Sequence, residues 1–170
     1  MFNTNKQKIL IHFIETEPKS WYSLEISRAL KISDGSANVL LKELEKEGYL
    51  SSENFGRTIV YTLKSESPKV GQYKVLLNVE KASDELATLK GLVEKAILFG
   101  SRASGENVAE SDYDILIVTD NREKMQEIVS KTKNDKYKSI ILTPVEYISL
   151  KAKNKVLYDE IGKGVTVLNK

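Results

Sequence analysis

Residues 97–118 read ILFGSRASGENVAESDYDILIV. Two apolar runs, 97–99 and 115–118, flank a polar connector, and each suits a short buried strand. Gly100 and Ser101 leave the first run, and Asp112 and Asp114 open the second. Side chains two apart on a strand project to the same side. Both carboxylates can therefore reach one Mg²⁺, a hard cation served by carboxylate and phosphate oxygens. Burying an unpaired carboxylate is expensive, so an Asp inside Tyr-Asp-Ile-Leu-Ile-Val reads better as a metal ligand than as a solvated edge group. Gly100 lets the backbone approach a phosphate that a side chain would obstruct. Ser101 offers its hydroxyl and N–H to a β- or γ-phosphate, at the start of a short helical turn. Alone, Gly-Ser is an ordinary strand-to-helix turn; the Asp-x-Asp downstream is what makes it a candidate site.

This stretch resembles the core of the minimal nucleotidyltransferases of the DNA-polymerase-β-like superfamily, which carry a Gly-Ser, a spacer and an Asp-x-Asp. Residues 139–147 (SIILTPVEY) and 158–161 (YDEI) are similar to the end of that domain in prokaryotic two-domain members. The resemblance covers about the last 80 residues closely and the front half more loosely. It implies transfer of a nucleoside monophosphate from an NTP, such as ATP, to an acceptor hydroxyl. Asp112 and Asp114 would be the catalytic pair and the ligands of Mg²⁺ (or Mn²⁺), with Gly100, Ser101 and Arg102 binding the nucleotide phosphates. Arg102 has two further readings, pairing with Asp112 before metal binds and a simple surface role. The acceptor implied is a protein hydroxyl, such as a tyrosine of a toxin-like partner, or an RNA end.

Two departures from the family pattern stand out. Active members place a third carboxylate on a later strand, but residues 138–142 (KSIIL) have none. Glu146 follows closely, yet Thr143-Pro144-Val145-Glu146 reads as a capping box with proline at the first helical position. Tyr113 is also larger than usual between the aspartates, and its ring is expected to turn into the core on the opposite face.

The front of the chain carries a different pattern. Residues 8–14 place Ile9, Leu10, Phe13 and Ile14 at helical spacing, closed by Pro18. A second helix is expected over 23–30, burying Leu24, Ile26, Ala29 and Leu30. Ser33 is the expected N-cap of a third, with Ala37, Leu40, Leu41 and Leu44 as its stripe and Gly48 just past its end. Residues 49–52 and 58–63 then form a hairpin around a polar loop at 53–57. Residues 23–50 (SLEISRALKISDGSANVLLKELEKEGYL) resemble the winged helix-turn-helix domains of prokaryotic transcription regulators. Ser36, Asn38 and Lys42 would meet the major groove of double-stranded DNA, and Arg57 a phosphate or the minor groove. A protein-interaction role competes, because Glu43, Glu45 and Glu47 make the end of helix three acidic.

The expected organisation is α+β: a winged helix-turn-helix domain over 1–66, a helical connector over 67–95, and a small mixed-sheet nucleotidyltransferase domain over 96–170. The connector is one bent helix or two, with Tyr73, Leu76, Leu77, Leu86, Leu89 and Val93 on an apolar face. It is also a candidate homodimer surface. Later elements are expected at 96–99, 113–118 and 139–142 (strands) and at 102–105, 121–131 and 143–154 (helical), with the helices on one side of the sheet.

Composition narrows the function classes. A chain of 170 residues with 41% hydrophobic content supports real cores. Zero cysteines exclude disulfides and thiol catalysis, and a single histidine leaves no His cluster for zinc. No apolar run approaches the ~20 residues of a membrane span, which with the lack of cysteine fits a cytoplasmic protein. Lys plus Arg at 26 against Asp plus Glu at 24 gives a net charge of +2, so DNA binding must rest on local arrangement. Two functions follow: a nucleotidyltransferase with an attached DNA-binding domain, or a catalytically weak regulator whose second domain senses a nucleotide or binds a partner.

Overall fold

The computed structural model describes residues 4–131 and 135–170. The chain divides into two compact units, the second beginning at Gln72.

The first unit contains α1 (Asn5–Glu15), β1 (Trp21–Tyr22), α2 (Ser23–Leu30), α3 (Asp34–Lys46), β2 (Leu50–Phe55) and β3 (Thr58–Leu63). Helix α1 starts a turn earlier than its apolar pattern, because Thr4 and Gln7 form a reciprocal capping box. Ser33 caps α3 by accepting from the Ser36 N–H, and Gly48 follows that helix with φ of 84°. Strand β2 runs to Phe55, three residues beyond expectation, because its ladder with β3 continues through Glu53↔Val60 to Phe55↔Thr58. The reversal is only Gly56-Arg57, with Gly56 at φ of 64°, the first central position of a tight hairpin turn. The sheet order is β1-β3-β2, all antiparallel.

Ile9, Phe13, Ile26, Leu41, Leu44 and Leu50 are almost wholly buried in this unit. Leu24 and Ala29 are not: both face outward on α2, whose buried positions are Ile26 and Ser27. A small serine closes that face through a hydrogen bond to the Leu24 carbonyl, so the apolar face is narrower than the residue types suggest.

The second unit is built on one sheet. Its elements are α4 (Pro68–Leu86, which begins before the division), a 3-10 turn (Ala87–Leu89), β4 (Lys95–Phe99), α5 (Ser101–Ser104), β5 (Tyr113–Val118) and α6 (Arg122–Lys131). There follow β6 (Tyr137–Leu142), α7 (Pro144–Lys153), α8 (Lys155–Gly162) and β7 (Val165–Asn169). The order is β6-β5-β4-β7, with β5 and β6 parallel and the other pairs antiparallel.

Helices cover both faces of this sheet, where one was expected. Tyr113, Ile115 and Ile117 pack with Ala82 and Leu86 of α4 and Met125 of α6. Leu116 and Val118 pack on the other face with Leu150 of α7 and Ile161 of α8. That double cover explains why 115–118 is continuously apolar rather than alternating. Each such aliphatic side chain contributes roughly 1.5–3 kcal/mol on full burial. The second cover depends on α8 as well as α7, and neither α8 nor the edge strand β7 was separated by the sequence pattern. Leu76 is a further correction, lying exposed on α4 while Val70, Leu77, Ala82 and Leu86 are buried.

Candidate functional site

The alternation along β5 puts Asp114 on the α7/α8 face with Leu116 and Val118, while Tyr113 points to the α4 face. Tyr113 is buried there and stacked on Tyr137, the ring centroids 4.6 Å apart and 7° from parallel. Asp112 is the residue before β5 starts and is exposed, whereas Asp114 is half-buried.

Asp114 and Gly100 are in close contact. In the ladder Asp114 lies opposite Phe99, the last residue of β4, so the chain turns at Gly100 against its carboxylate. Gly100 has φ of 70° and ψ of −157°, a conformation essentially restricted to glycine. A Cβ there would lie 2.6 Å from Asp114 Oδ2. Glycine is thus required twice, for its backbone angle and for the space the carboxylate occupies. Ser101 begins α5, a single turn of four residues. A turn that short supplies little dipole, so the close backbone approach matters more here than a helix field.

Burial and like charge dominate the electrostatics of Asp114. The Asp114 carboxyl is held above the usual range, first by partial burial, then by the charge of Asp112, then by that of Glu160 on α8. Lys138 pulls in the other direction. In the parallel register Lys138 sits directly beside Asp114 on β6. Where the family pattern calls for a third carboxylate on a later strand, the register position nearest Asp114 holds a cation.

Glu146 is fixed elsewhere. Its carboxylate accepts from the Thr143 backbone N–H at 2.8 Å and pairs with Arg122 at 2.7 Å. These contacts hold its carboxyl below the usual range, the Thr143 backbone bond contributing most. It is the cap that its sequence spacing suggests. Among the described residues no group of three or more Asp, Glu, His or Cys is arranged to hold a metal ion.

Arg102 is turned into the protein interior. It is almost fully buried, and its guanidinium donates to backbone oxygens: Nε to Ser111 at 3.0 Å and Asp112 at 3.2 Å, Nη2 to Ser111 at 2.5 Å. Nη1 donates to Asn78 Oδ1 at 2.9 Å, and the group lies 4.0 Å from the Tyr113 ring centroid. Neither the surface role nor a pairing with the Asp112 carboxylate fits this arrangement. A planar donor fork satisfied by carbonyls and stacked on an aromatic ring organises backbone instead.

Gly100, Ser101, Asp112 and Asp114 lie in one region as expected from the sequence, while Arg102 is buried rather than on the surface and bonds the Asp112 carbonyl rather than its carboxylate. Sequence reasoning passes over Lys138, Glu160 and Asn78. Asn78 had a legible signal, since Lys74 and Asn78 fall on the same helical line as Val70, Ala82 and Leu86. Lys138 and Glu160 had none, because their nearness to Asp114 comes from strand register and chain return.

In the first unit, Ser36, Asn38 and Lys42 are exposed on α3, and Arg57 is exposed at the hairpin turn. The Ser36 hydroxyl is engaged locally, accepting from Ser33 Oγ at 2.9 Å. Lys6 reaches Glu43 at 3.1 Å and Glu47 at 2.5 Å.

No curated protein matches the chain. Solved structures similar to it include the following two. One is a candidate nucleotidyltransferase from Sulfolobus solfataricus, 23% identical over 59% of this chain and 88% of that one, with a TM-score of 0.39. The other is a hypothetical protein of Pyrobaculum spherical virus, 24% identical over 55% of this chain and 56% of its own, with a TM-score of 0.31. The family described as polymerase beta, nucleotidyltransferase matches residues 80–170, just over half of the chain and all of the sheet that carries Gly100 and Asp114. With that match, the chain belongs to the polymerase-beta nucleotidyltransferase family.

Proposed function

We propose that the second unit transfers a nucleoside monophosphate from an NTP to an acceptor hydroxyl, using Mg²⁺ or Mn²⁺ held by Asp112 and Asp114. The observation that carries this is Asp114 packed against Gly100, with its carboxyl raised by partial burial and then by the charge of Asp112. A divalent cation relieves that repulsion. Mg²⁺ is commonly held by one or two carboxylates plus substrate phosphates rather than by an all-protein cage, so two aspartates without a third ligand fit it. When bound, the ion neutralises triphosphate charge and favours ionisation of the acceptor hydroxyl.

The chain's own part is positioning. Gly100 lets the phosphates approach the backbone, and Ser101 donates its N–H and hydroxyl to them. Lys138, beside Asp114, supplies positive charge where the triphosphate gathers. In the transfer, the acceptor hydroxyl loses its proton to solvent and its oxygen bonds to the α-phosphorus, while the bond from that phosphorus to the α,β-bridging oxygen breaks and pyrophosphate leaves with the electron pair. The acceptor is a protein hydroxyl, such as a tyrosine of a toxin-like partner, or an RNA end.

We further read the first unit as a winged helix, on the element order α1-β1-α2-α3-β2-β3 and the β1-β3-β2 sheet. Asn38 and Lys42 on α3, with Arg57 at the hairpin tip, would contact double-stranded DNA. Lys6 lessens the acidic objection, since Glu43 and Glu47 are both paired with it. The alternative, a regulator that senses nucleotide with little turnover, is favoured by one observation: Lys138, not an acid, stands next to Asp114.

Incubation with α-labelled NTPs, Mg²⁺ and cell extract tests the proposal against the Asp112→Ala/Asp114→Ala double variant. Label appearing on an acceptor with the wild type and falling by about 100-fold or more in the variant supports transfer. Nucleotide binding with no label on any acceptor moves the assignment to the sensor.

A further inference from the structure

The mechanism above leaves one buried polar cluster unused. Helix α4 turns Lys74 and Asn78 inward, exposed by only 3% and 4%, on the line that also buries Val70 and Ala82. Polar groups in such positions cost free energy unless every one finds a partner.

Asn78 is fully engaged, and its partners lie in the connector between the Gly100-Ser101 turn and Asp112. Its Nδ2 donates to the Arg102 carbonyl at 3.0 Å and to Asn107 Oδ1 at 2.8 Å. Its Oδ1 accepts from Arg102 Nη1 at 2.9 Å. Lys74 Nζ adds a bond to the Asn107 carbonyl at 2.9 Å. Arg102 in turn holds the carbonyls of Ser111 and Asp112. One amide thus ties the turn that follows Gly100 and, through the guanidinium, the backbone of Asp112.

What lies between those two points is held outside any ladder, by Asn78 and Lys74 at Asn107 and by the reciprocal Val108–Ser111 bonds. Residues 106–112 form no helix or strand. Asp112 is exposed and outside β5, unlike Asp114, which the ladder fixes. The Asp112 backbone is therefore placed by the Arg102 bond as well as by its junction with β5, and Asn78 holds that guanidinium.

We propose that Asn78 is a positioning residue for nucleotidyl transfer: through Arg102 it sets Asp112 against Asp114 and the Gly100-Ser101 turn, and so determines metal affinity. The inference rests on the transfer reading above. A purely structural role for Asn78 predicts lower stability with unchanged metal affinity in the folded protein; a positioning role predicts the affinity itself falling.

The experiment is a Mn²⁺ titration followed by electron paramagnetic resonance, with the full chain and a non-hydrolysable α,β-methylene NTP. Wild type, Asn78→Leu and Asn78→Asp are compared, with circular dichroism and thermal melting reporting the fold. Asn78→Leu removes every bond; Asn78→Asp keeps the acceptor toward Arg102 and loses both donations. The expected result is a Mn²⁺ dissociation constant raised about 10- to 100-fold in Asn78→Leu, with Asn78→Asp in between. Label transfer should fall in parallel and recover partly as Mn²⁺ is raised. Folded variants that bind Mn²⁺ as tightly as wild type overturn the assignment. If Asn78→Leu does not fold, Asn78→Asp decides by the same criterion. A wild-type chain that binds no Mn²⁺–nucleotide at all sinks the transfer reading instead, and this inference with it.

Discussion

The two units treat buried polar groups in opposite ways. In the second, Lys74, Asn78, Arg102 and Asn107 are buried and joined by hydrogen bonds, while the Asp114 carboxylate sits under the charges of Asp112 and Glu160. In the first, the unsatisfied group is neutral: His12 Nε2 is buried with no hydrogen-bond partner among the described residues, its ring 4.6 Å from that of Trp21. One unit keeps a like-charge repulsion that a cation would relieve, and the other keeps a neutral ring that resists protonation. An acidic pair with one carboxyl raised by burial and like charge is where the proposed cation would bind. An isolated buried imidazole carries no such implication, and packing accounts for it.

Gly100→Ala should separate the units most sharply. The positive φ costs about 1–3 kcal/mol, and the new Cβ would displace Asp114 Oδ2 from its 2.6 Å position. Thermal melting should show that loss, and Mn²⁺–nucleotide binding should weaken with it. Emission from Trp21, the chain's one tryptophan and a first-unit residue, should keep its native wavelength below the melting transition. A Gly100→Ala protein with wild-type stability and metal binding would remove the close approach from the account.

The next difference is in pH. Burial lowers the His12 pKa from its ordinary value near 6.5, so the unfolded chain binds the proton more readily. Stability contributed by the neutral ring is present above about pH 6.5 and declines as pH falls below it, by no more than about 1.4 kcal/mol per pH unit for one proton. Denaturant titrations followed by Trp21 emission should show this slope, and His12→Phe should flatten it. Asp114 has the reverse sign. Its folded carboxyl is raised, so ionisation destabilises the fold at neutral pH and protonation on acidification relieves the penalty. Asp114→Asn should therefore raise the melting temperature of the metal-free protein slightly, by less than about 1 kcal/mol given its solvent exposure, while removing transfer. A lower melting temperature would mean that the acid is better satisfied than its surroundings indicate.

Much of this contrast was legible in the sequence, for local reasons. Strand β5 has the expected bounds because an apolar run buried on both faces leaves little choice, and the Ser33 and Thr143 caps follow from side chains that bond within three residues. What escaped was set by distant contacts. Arg102 follows a Gly-Ser turn and reads locally as exposed; its burial comes from Asn78, 24 residues earlier, and Ser111, nine later. Lys138 meets Asp114 only through parallel register, and the short run 165–169 becomes a strand only because β4 offers an edge. The outward faces of Leu24 and Leu76 escaped because a helix can place small or polar residues inward when partners await them, as Ser27 and Asn78 do.

The central claim is that Asp112, Asp114 and the Gly100 turn form one cation-and-nucleotide cradle. Its most direct test is the anomalous diffraction of crystals grown with Mn²⁺ and a non-hydrolysable NTP. The account predicts a manganese peak ligated by both aspartates, with triphosphate oxygens completing its shell beside Gly100 and Ser101. Manganese and nucleotide bound elsewhere, with the two carboxylates turned apart into solvent, would contradict it.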